Sequence, residues 1–565
     1  MSALLSLFDS NELSQLNRMR RDVDAETATI AYCVYENPLG RSGGIYAVAA
    51  NYANQLQSAG RNVVVLSPFH SQLKTANREM LHLIGHCDVQ FGGQAVRVDL
   101  FDLRQGDVRW VLFGAEGHFD ASGGMGGADP YFHESPEKLL VDSLFASAAI
   151  PRVLEAIGET SNLIVHVQDW ELAATALMTK LAMLEGRIRS AALVLTSHNP
   201  YDHEVDADAW TLITSRRYPG VSRNNSVYQC FMPLFDAPVA TVSRVFASDL
   251  TNDPLQTTYF ANHLQATFRE RGIVGIDNGL FLKPVSAFSD EASEQAMAGN
   301  PTAILSEKRR VRKAMLAELD AYDDPRIEGK LAGHQGGRLG DLPDDIPVFL
   351  MFGRLDPGQK GFDVLSRAIE AMPAGTCRFI LTPIVPQPRA FSNDMRELAT
   401  RRSGDVVVYP FRMERGYMET MAGATFAIMP SLYEPFGAAT EPYLKGTPVV
   451  GRATGGLCDQ IADIDAEPTT ATGFLYREAS PNQAAIEDEW QAILGAATPQ
   501  ERCAVPLYGA MVASLAATLS RAAALFHYDH AAYGRMLANL FPRASSFSWE
   551  RNFSEYRELY RRAAS

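Results

Sequence analysis

Two carboxylates and a Gly-Gly turn lie close together in the stretch PSLYEPFGAATEPYLKGTPVVGRATGGLCD, Pro430 to Asp459. The apolar run TFAIMP just before it suits a buried parallel strand, so Glu434 would emerge at that strand's carboxyl end, where open α/β sheets bind ligands. A second apolar strand, TPVV, runs into Thr454-Gly455-Gly456, whose backbone N–H groups can approach an anion closely at a helix start. Carboxylates suit sugar hydroxyls and bare amides suit phosphates, so the stretch reads as a nucleotide-sugar site. FGRLDPGQKGFDVL adds Arg354 and Lys360 on the loop after another strand. Two fixed cations there can neutralise a diphosphate that leaves when a glycosidic bond breaks.

Strands that end in polar residues are what such groups require, and the chain supplies them in two runs. TIAYCVY, the helical stretch IYAVAANYANQLQSAG and the strand NVVVLS make a βαβ opening, and LIVHVQDW and AALVLTSHN repeat the pattern of an apolar strand with a polar end. In the second half PVFLMFG, CRFILTPI, DVVVYPF, TFAIMP and TPVV alternate with helical stretches such as FDVLSRAIEAM, the spacing of a second parallel sheet. A length of 565 residues exceeds one ordinary core and fits two large domains. The boundary is expected near Pro284 to Pro301, where apolar periodicity fades. Asp320 to Asp345, rich in Gly, Asp and Pro, is expected as a long exposed loop, and Ala121 to Pro130 as a similar one.

A formal charge of −15 argues against nucleic acid or an anionic membrane as partner. Six cysteines, Cys33, Cys87, Cys230, Cys377, Cys458 and Cys503, are far apart with no CxxC pair, which suits a reducing cytoplasm. The N-terminus lacks a signal-peptide pattern, and no 18-residue apolar span is expected anywhere. No metal or other cofactor is suggested: the 12 histidines are scattered, and His82 and His86 lack the Glu of HExxH and read as a helix surface. The basic run Lys308, Arg309, Arg310, Arg312, Lys313 reads as a solvated helix face, with an anion or polysaccharide contact as the alternative.

These motifs resemble the retaining glycosyltransferases of the GT-B fold, and within them the bacterial glycogen and starch synthases. Glu434-Pro435-Phe436-Gly437 is similar to their E-P-x-G turn, Gly446-Thr447-Pro448-Val449-Val450 to G-T-x-P-V-V, and Thr454-Gly455-Gly456-Leu457 to T-G-G-L. Glu441 falls in register with a second family Glu if one residue is deleted, and otherwise reads as a solvated helix residue. Gln359-Lys360-Gly361 resembles the R-L-x-x-Q-K-G loop with one residue inserted. His198-Asn199 resembles F-T-x-H-N, and Asp169-Trp170 resembles H-x-H-D-W, with His166 matching the first histidine and Gln168 replacing the second. The glycine loop departs more: Arg41-Ser42-Gly43-Gly44 stands where the family has K-x-G-G, Ala47 where it has Asp, and Glu36 precedes it where the family also places a Glu. The segment from about Pro481 to Leu507 is an insertion relative to the family.

The resemblance implies two facing Rossmann-like domains, residues 1–285 on the acceptor side and 286–545 on the donor side, with a deep cleft between them. It also implies a helix over 546–565 crossing back to the first domain. It implies glucose transfer from ADP-glucose or UDP-glucose to the non-reducing end of an α-glucan, through a short-lived oxocarbenium-like ion pair in which the leaving phosphate helps deprotonate the acceptor. Asp169, His198, Arg354, Lys360 and Glu434 inherit catalytic roles, and Glu36, Arg41, Gly43, Gly44, Trp170, Asn199, Glu441, Thr454, Gly455 and Gly456 substrate contacts. Two other readings stand beside it: the same donor chemistry towards an exopolysaccharide, glycolipid or small molecule, and a non-catalytic nucleotide-sugar-binding regulator. The partners expected are the sugar donor and a hydroxyl acceptor, without nucleic acid or integral membrane segment, and an oligomer is left open.

Overall fold

The computed structural model describes all residues except 1–6, 72, 74–77, 124–127, 220–224, 323–334, 337–342, 386–388, 412, 414–415 and 481. The chain packs as two compact units. One is residues 1–251, 260–281 and 548–565; the other is residues 252–259 and 282–547.

In the first unit the strands are β1 (Thr29–Cys33), β2 (Val63–Pro68), β3 (His82–Phe91), β4 (Gln94–Gln105), β5 (Val108–Ala115), β6 (Leu163–Gln168), β7 (Ala191–Thr196), a short ribbon of β8 (Glu204–Val205) and β9 (Asn225–Ser226), β10 (Val239–Thr241) and β11 (Ile273–Gly275). Nine of them form one sheet in the order β11-β10-β7-β6-β1-β2-β5-β4-β3. Strands β1, β2, β5, β6, β7, β10 and β11 pair in parallel, and β4 and β3 add antiparallel at one edge. Every residue of β6 and β7 is buried, as the unbroken apolar runs of a parallel sheet covered on both faces require. The strand order reverses between β1 and β6, the crevice where such sheets place ligands.

The final helix, Trp549–Ala564, packs in this same unit. Its tyrosines reach the sheet through a buried polar chain. Tyr560 pairs with Tyr52 at 2.7 Å and with His166 Nδ1 at 2.9 Å, while Thr196 Oγ1 pairs with His166 Nε2 at 2.8 Å and with Tyr556 at 2.9 Å. Burial pushes the His166 imidazole down to about 3, so it is neutral and works as a strut for the helix.

The second unit holds β12 (Gln335–Gly336), β13 (Val348–Arg354), β14 (Arg378–Ile384), β15 (Val406–Val408), β16 (Phe426–Met429), β17 (Val449–Arg452) and β18 (Gly473–Tyr476). Their order is β12-β15-β14-β13-β16-β17-β18, parallel except for β12, with the reversal between β13 and β16.

Several local expectations need correction. His82 and His86 lie on β3, not on a helix: the turn Gly92-Gly93, with φ of 57° and 77°, closes a hairpin with β4. The basic run is a solvated face only in part: Arg309, Arg310 and Lys313 are exposed, but Lys308 is buried and donates to Ala422 O, Gly446 O and Thr447 Oγ1 at 2.6–2.7 Å. Arg312 is buried too and donates to the carbonyls of Pro343 and Ile346. An apolar span does exist: helix Pro506–Tyr528 reaches a mean hydropathy of 1.4 over 18 residues. Its buried side chains, Leu507, Met511, Leu515 and Leu519 among them, belong to the second unit's interior. Pro284 to Pro301 contains a helix, Asp290–Met297, capped by Ser289. Most of the expected loop from Asp320 to Asp345, and residues 124–127 of the other, lie outside the described residues.

Candidate active site

In the second unit two loops at the reversal point are fastened together. Leu432 N–H donates to Gln359 O at 2.7 Å, and Gly361, at φ 69°, leaves no room for a side chain: a Cβ there would sit 2.2 Å from Pro430 O. This brings Lys360 Nζ to 2.6 Å from Glu434 Oε2, which also accepts from Ser431 Oγ at 2.9 Å. Arg354 is exposed at the end of β13. Glu441 opens the short helix Thr440–Leu444. Burial raises its carboxyl above the usual range and the positive charge of Lys360 opposes the rise, so Glu441 is not a solvated helix residue.

Thr454-Gly455-Gly456 abuts this cluster in a way sequence alone does not give. Gly456 N–H donates to Glu434 O at 2.9 Å, and a Cβ on Gly456 would fall 1.8 Å from Phe436 O. The glycine therefore lets two backbones meet and uses its amide to brace the Glu434 turn. Beyond β13, β14 and β15 lies a pocket of ≈ 740 Å³ whose lining includes Phe352, Thr382, Ile384, Phe411 and Tyr417. Its size and aromatic walls suit a flat heterocycle.

In the first unit Asp169 and His198 follow β6 and β7. Asp169 holds φ 58° and ψ 179°, a conformation that costs a non-glycine residue about 1–3 kcal/mol and is found where a site dictates it. Its Oδ1 accepts from His198 N–H at 2.6 Å and from Tyr228 OH at 3.3 Å. Burial raises the Asp169 carboxyl, while the nearby imidazole and these donors pull it back; burial lowers the His198 imidazole. His198 Nε2 pairs with Gln168 Oε1 at 2.9 Å, so Gln168 fixes the ring and leaves Nδ1 as the acceptor of a neutral imidazole. Asn199 follows, its backbone turned towards Asp169. Trp170 is buried with its ring 4.8 Å from that of His203.

Glu36, beyond the end of β1, is fully buried and accepts from Gly43 N–H and Tyr46 N–H, both at 3.1 Å. It shapes the glycine loop and caps helix Ile45–Ser58; burial raises its carboxyl and the amides moderate the rise. Arg41 is exposed on that loop with its guanidinium 5.4 Å from the Tyr46 ring, and Gly44 has open space where a side chain would be. The first unit thus gathers Glu36, Asp169 and His198 beyond the carboxyl ends of β1, β6 and β7, and the second gathers Lys360, Glu434, Glu441 and Gly456 beyond those of β13, β16 and β17.

Sequence reasoning missed three residues that hold these groups: Tyr228, Ser431 and Arg502. Arg502 lies in the segment described above as an insertion. It is 1% exposed and donates to Pro357 O at 2.9 Å and Asp363 Oδ2 at 3.0 Å, the two sides of the Lys360 loop. Thr498-Pro499 with Glu501 three residues on signals a helix start there, but nothing in the sequence points to its target.

Comparison with known proteins gives the following. Residues 29–270 match the family model described as the starch synthase catalytic domain, and residues 323–523 match a model described as family 4 glycosyltransferase in conflict systems. The glycogen synthase of Photobacterium profundum is 23% identical over 82% of this chain and 86% of its own length. Glycogen synthase 1 of Geobacter metallireducens is 25% identical over 93% and 94%. Among solved structures, the catalytic domain of starch synthase IV from Arabidopsis thaliana, bound to ADP and acarbose, superposes with a TM-score of 0.70 at 19% identity, covering 95% of this chain and 99% of that one.

Proposed function

We infer that this chain, a glycogen/starch synthase-like glycosyltransferase of the GT-B fold, is a retaining enzyme that moves glucose from a nucleoside-diphosphate glucose to the non-reducing end of an α-glucan. The observation that carries the reading is the Lys360–Glu434 contact at the reversal point of the second sheet, because it sets one cation for phosphate beside one carboxylate for sugar hydroxyls. A lysine ammonium has three donors. With donor bound, Lys360 keeps Glu434 oriented while its remaining protons meet the diphosphate. Exposed Arg354 adds the second positive charge, and the base enters the aromatic pocket by Phe352, Phe411 and Tyr417. Glu434 and Glu441 accept from glucose hydroxyls.

As the glycosidic bond breaks, negative charge grows on the diphosphate and positive charge on the sugar ring. Lys360 and Arg354 stabilise the first. Asp169 stabilises the second, and His198, neutral and held by Gln168, bonds to the reacting sugar. The leaving phosphate takes the acceptor's proton, so the acceptor arrives on the face the diphosphate leaves and configuration is retained. Thr454 and Gly455 line the donor side, with Gly456 bracing Glu434. Glu36 shapes the loop of Arg41, Gly43 and Gly44 that reaches for the phosphates, and Trp170 and Asn199 flank the acceptor side. The ADP and acarbose held by the starch synthase IV relative support an adenine nucleotide donor and a glucan acceptor. Six free cysteines, four of them buried, support a reducing, cytoplasmic setting.

The test is nucleoside-diphosphate release from ADP-, UDP- and GDP-glucose, each with and without glycogen, in wild type and Glu434→Ala. Release stimulated by glycogen and abolished by the substitution is the expected result. Release indifferent to glycogen would move the acceptor to another hydroxyl compound.

A further inference from the structure

Away from these groups, a second cluster lies where the segment from Asp120 to His133 meets helix Pro136–Ala156. Here Asp120, His133 and Asp142 bring three ligand atoms within 4.8 Å of one another. His133 Nδ1 is 3.8 Å from Asp120 Oδ1 and 3.7 Å from Asp142 Oδ2. Its side chain is 1% exposed, and Nδ1 has no hydrogen-bond partner. The other ring nitrogen, Nε2, is 3.1 Å from Pro130 O, which can only accept. Nε2 therefore carries the proton, and in the neutral ring the Nδ1 lone pair points at two carboxylate oxygens. Three electron-rich atoms facing each other favour a cation among them, and the Lys138 ammonium, which meets Asp142 Oδ1 and Asp120 Oδ1, leaves the His133 Nδ1 lone pair without one.

We propose that Asp120, His133 and Asp142 bind a divalent transition-metal ion of the zinc class, which clips the two ends of the 120–133 segment to helix Pro136–Ala156. Zn–N and Zn–O bonds of about 2.0–2.2 Å place neighbouring ligands roughly 3.4 Å apart. The observed 3.7 and 3.8 Å are too long for hydrogen bonds and need only a small closure to reach that spacing. One imidazole and two carboxylates are a borderline-hard set that suits Zn²⁺, Co²⁺ or Mn²⁺ better than Ca²⁺. The outer partners are present as well: His118 Nδ1 lies 3.0 Å from Asp142 Oδ1, and Phe119 N–H donates to Asp142 Oδ2 at 2.9 Å. Such contacts orient a ligating carboxylate. Lys138 is the resident competitor. Its Nζ is 3.1 Å from Asp142 Oδ1 and 3.6 Å from Asp120 Oδ1, but it is 26% exposed and can swing away to Gly117 O, which it already contacts at 2.7 Å.

The ion would also act on the glycine loop. Ala128 O accepts from Arg41 N–H at 2.8 Å, and Asp129 Oδ2 accepts from Ser42 Oγ at 2.8 Å, so fixing the ends of the segment steadies the loop that carries Arg41.

The experiment is a Co²⁺ titration of the chelator-treated full chain, with cysteines alkylated, followed by absorption spectroscopy and checked by Zn²⁺ competition and thermal melting. Wild type, His133→Gln and Lys138→Met are compared, with circular dichroism confirming that each is folded. The expected result is one Co²⁺ per chain with d–d bands of a nitrogen-oxygen site, displaced by Zn²⁺. Affinity should fall at least tenfold in His133→Gln and rise in Lys138→Met, because the competing ammonium is gone. Equal affinity in wild type and His133→Gln would overturn the proposal. So would the absence of stoichiometric binding in both wild type and Lys138→Met, which would leave His133 as a protonated counter-ion of the two aspartates.

Discussion

Removing the ammonium of Lys360 has two separable consequences, one for folding and one for turnover. In Lys360→Met the Glu434 carboxylate, 12% exposed, keeps Ser431 Oγ but loses its counter-ion. Breaking a fully buried pair from one side costs about 3–5 kcal/mol, and an exposed pair is worth about 0–1 kcal/mol. With 22% of the lysine side chain exposed, this pair sits between those limits. A loss of roughly 1–3 kcal/mol in urea unfolding is expected. In the double variant Lys360→Met/Glu434→Gln no charge is left unpaired, so most of that stability should return. Turnover should not. A lysine that stabilises the departing diphosphate is worth about 10²–10³ in kcat, or about 2.7–4 kcal/mol of activation free energy. The assay is paired: unfolding for stability, diphosphate release at saturating donor for kcat, in wild type, both single variants and the double. If Lys360→Met lowers stability but leaves kcat unchanged, Lys360 is only the counter-ion of Glu434 and the phosphate role is refuted.

Arg502→Met should raise KM for the donor and destabilise the protein by about 3–5 kcal/mol, because it strands Asp363 and frees Pro357 in the loop that carries Lys360. Arg502→Lys should restore part of the stability but not the two-sided grip, and an unchanged KM in both would show that the loop holds itself. Asp169→Asn keeps an oxygen for His198 N–H and should fold normally while losing at least about 10² in kcat; unchanged turnover would remove its electrostatic role. Stability should fall with acid. His166 and His70 are held neutral down to about 3 by burial. Their contribution is therefore complete above the unfolded value near 6.5 and is lost as pH falls towards 3. The loss at pH 5.5 is about 1.4 kcal/mol for each. Unfolding between pH 7 and 5 should show a shallower slope in His166→Gln, and an unaltered slope would contradict the assignment.

Where periodicity and punctuation were strong, the sequence told the structure directly. The expected strand LIVHVQDW is β6 with Asp169 just past its end, and FDVLSRAIEAM is helix Phe362–Ala371 behind Gly361. Local pattern failed where long-range partners decided the outcome. Lys308 looks like surface charge until three oxygens from distant turns surround it. His166 stands three residues before Asp169 in the same motif, on β6, whose last residue is Gln168. Yet side chains along a strand alternate in direction, and position 166 meets the tyrosines of the last helix, 390 and 394 residues away in the cases of Tyr556 and Tyr560. Gly456 was legible as a glycine that something must approach, but the approaching group is the Phe436 backbone. The tie from Arg502 to the Lys360 loop spans 139 residues and has no local signature.

The central claim is glucose transfer with retention, and product stereochemistry tests it most directly. The enzyme is given the accepted nucleoside-diphosphate glucose labelled with ¹³C at the anomeric carbon, together with a short α-glucan, and the product is followed by NMR before and after digestion from the non-reducing end. The account predicts labelled carbon in a new α-linkage, released by the first cut of an α-specific exoglucosidase. Label in a β-linkage, or only in free glucose, would contradict it.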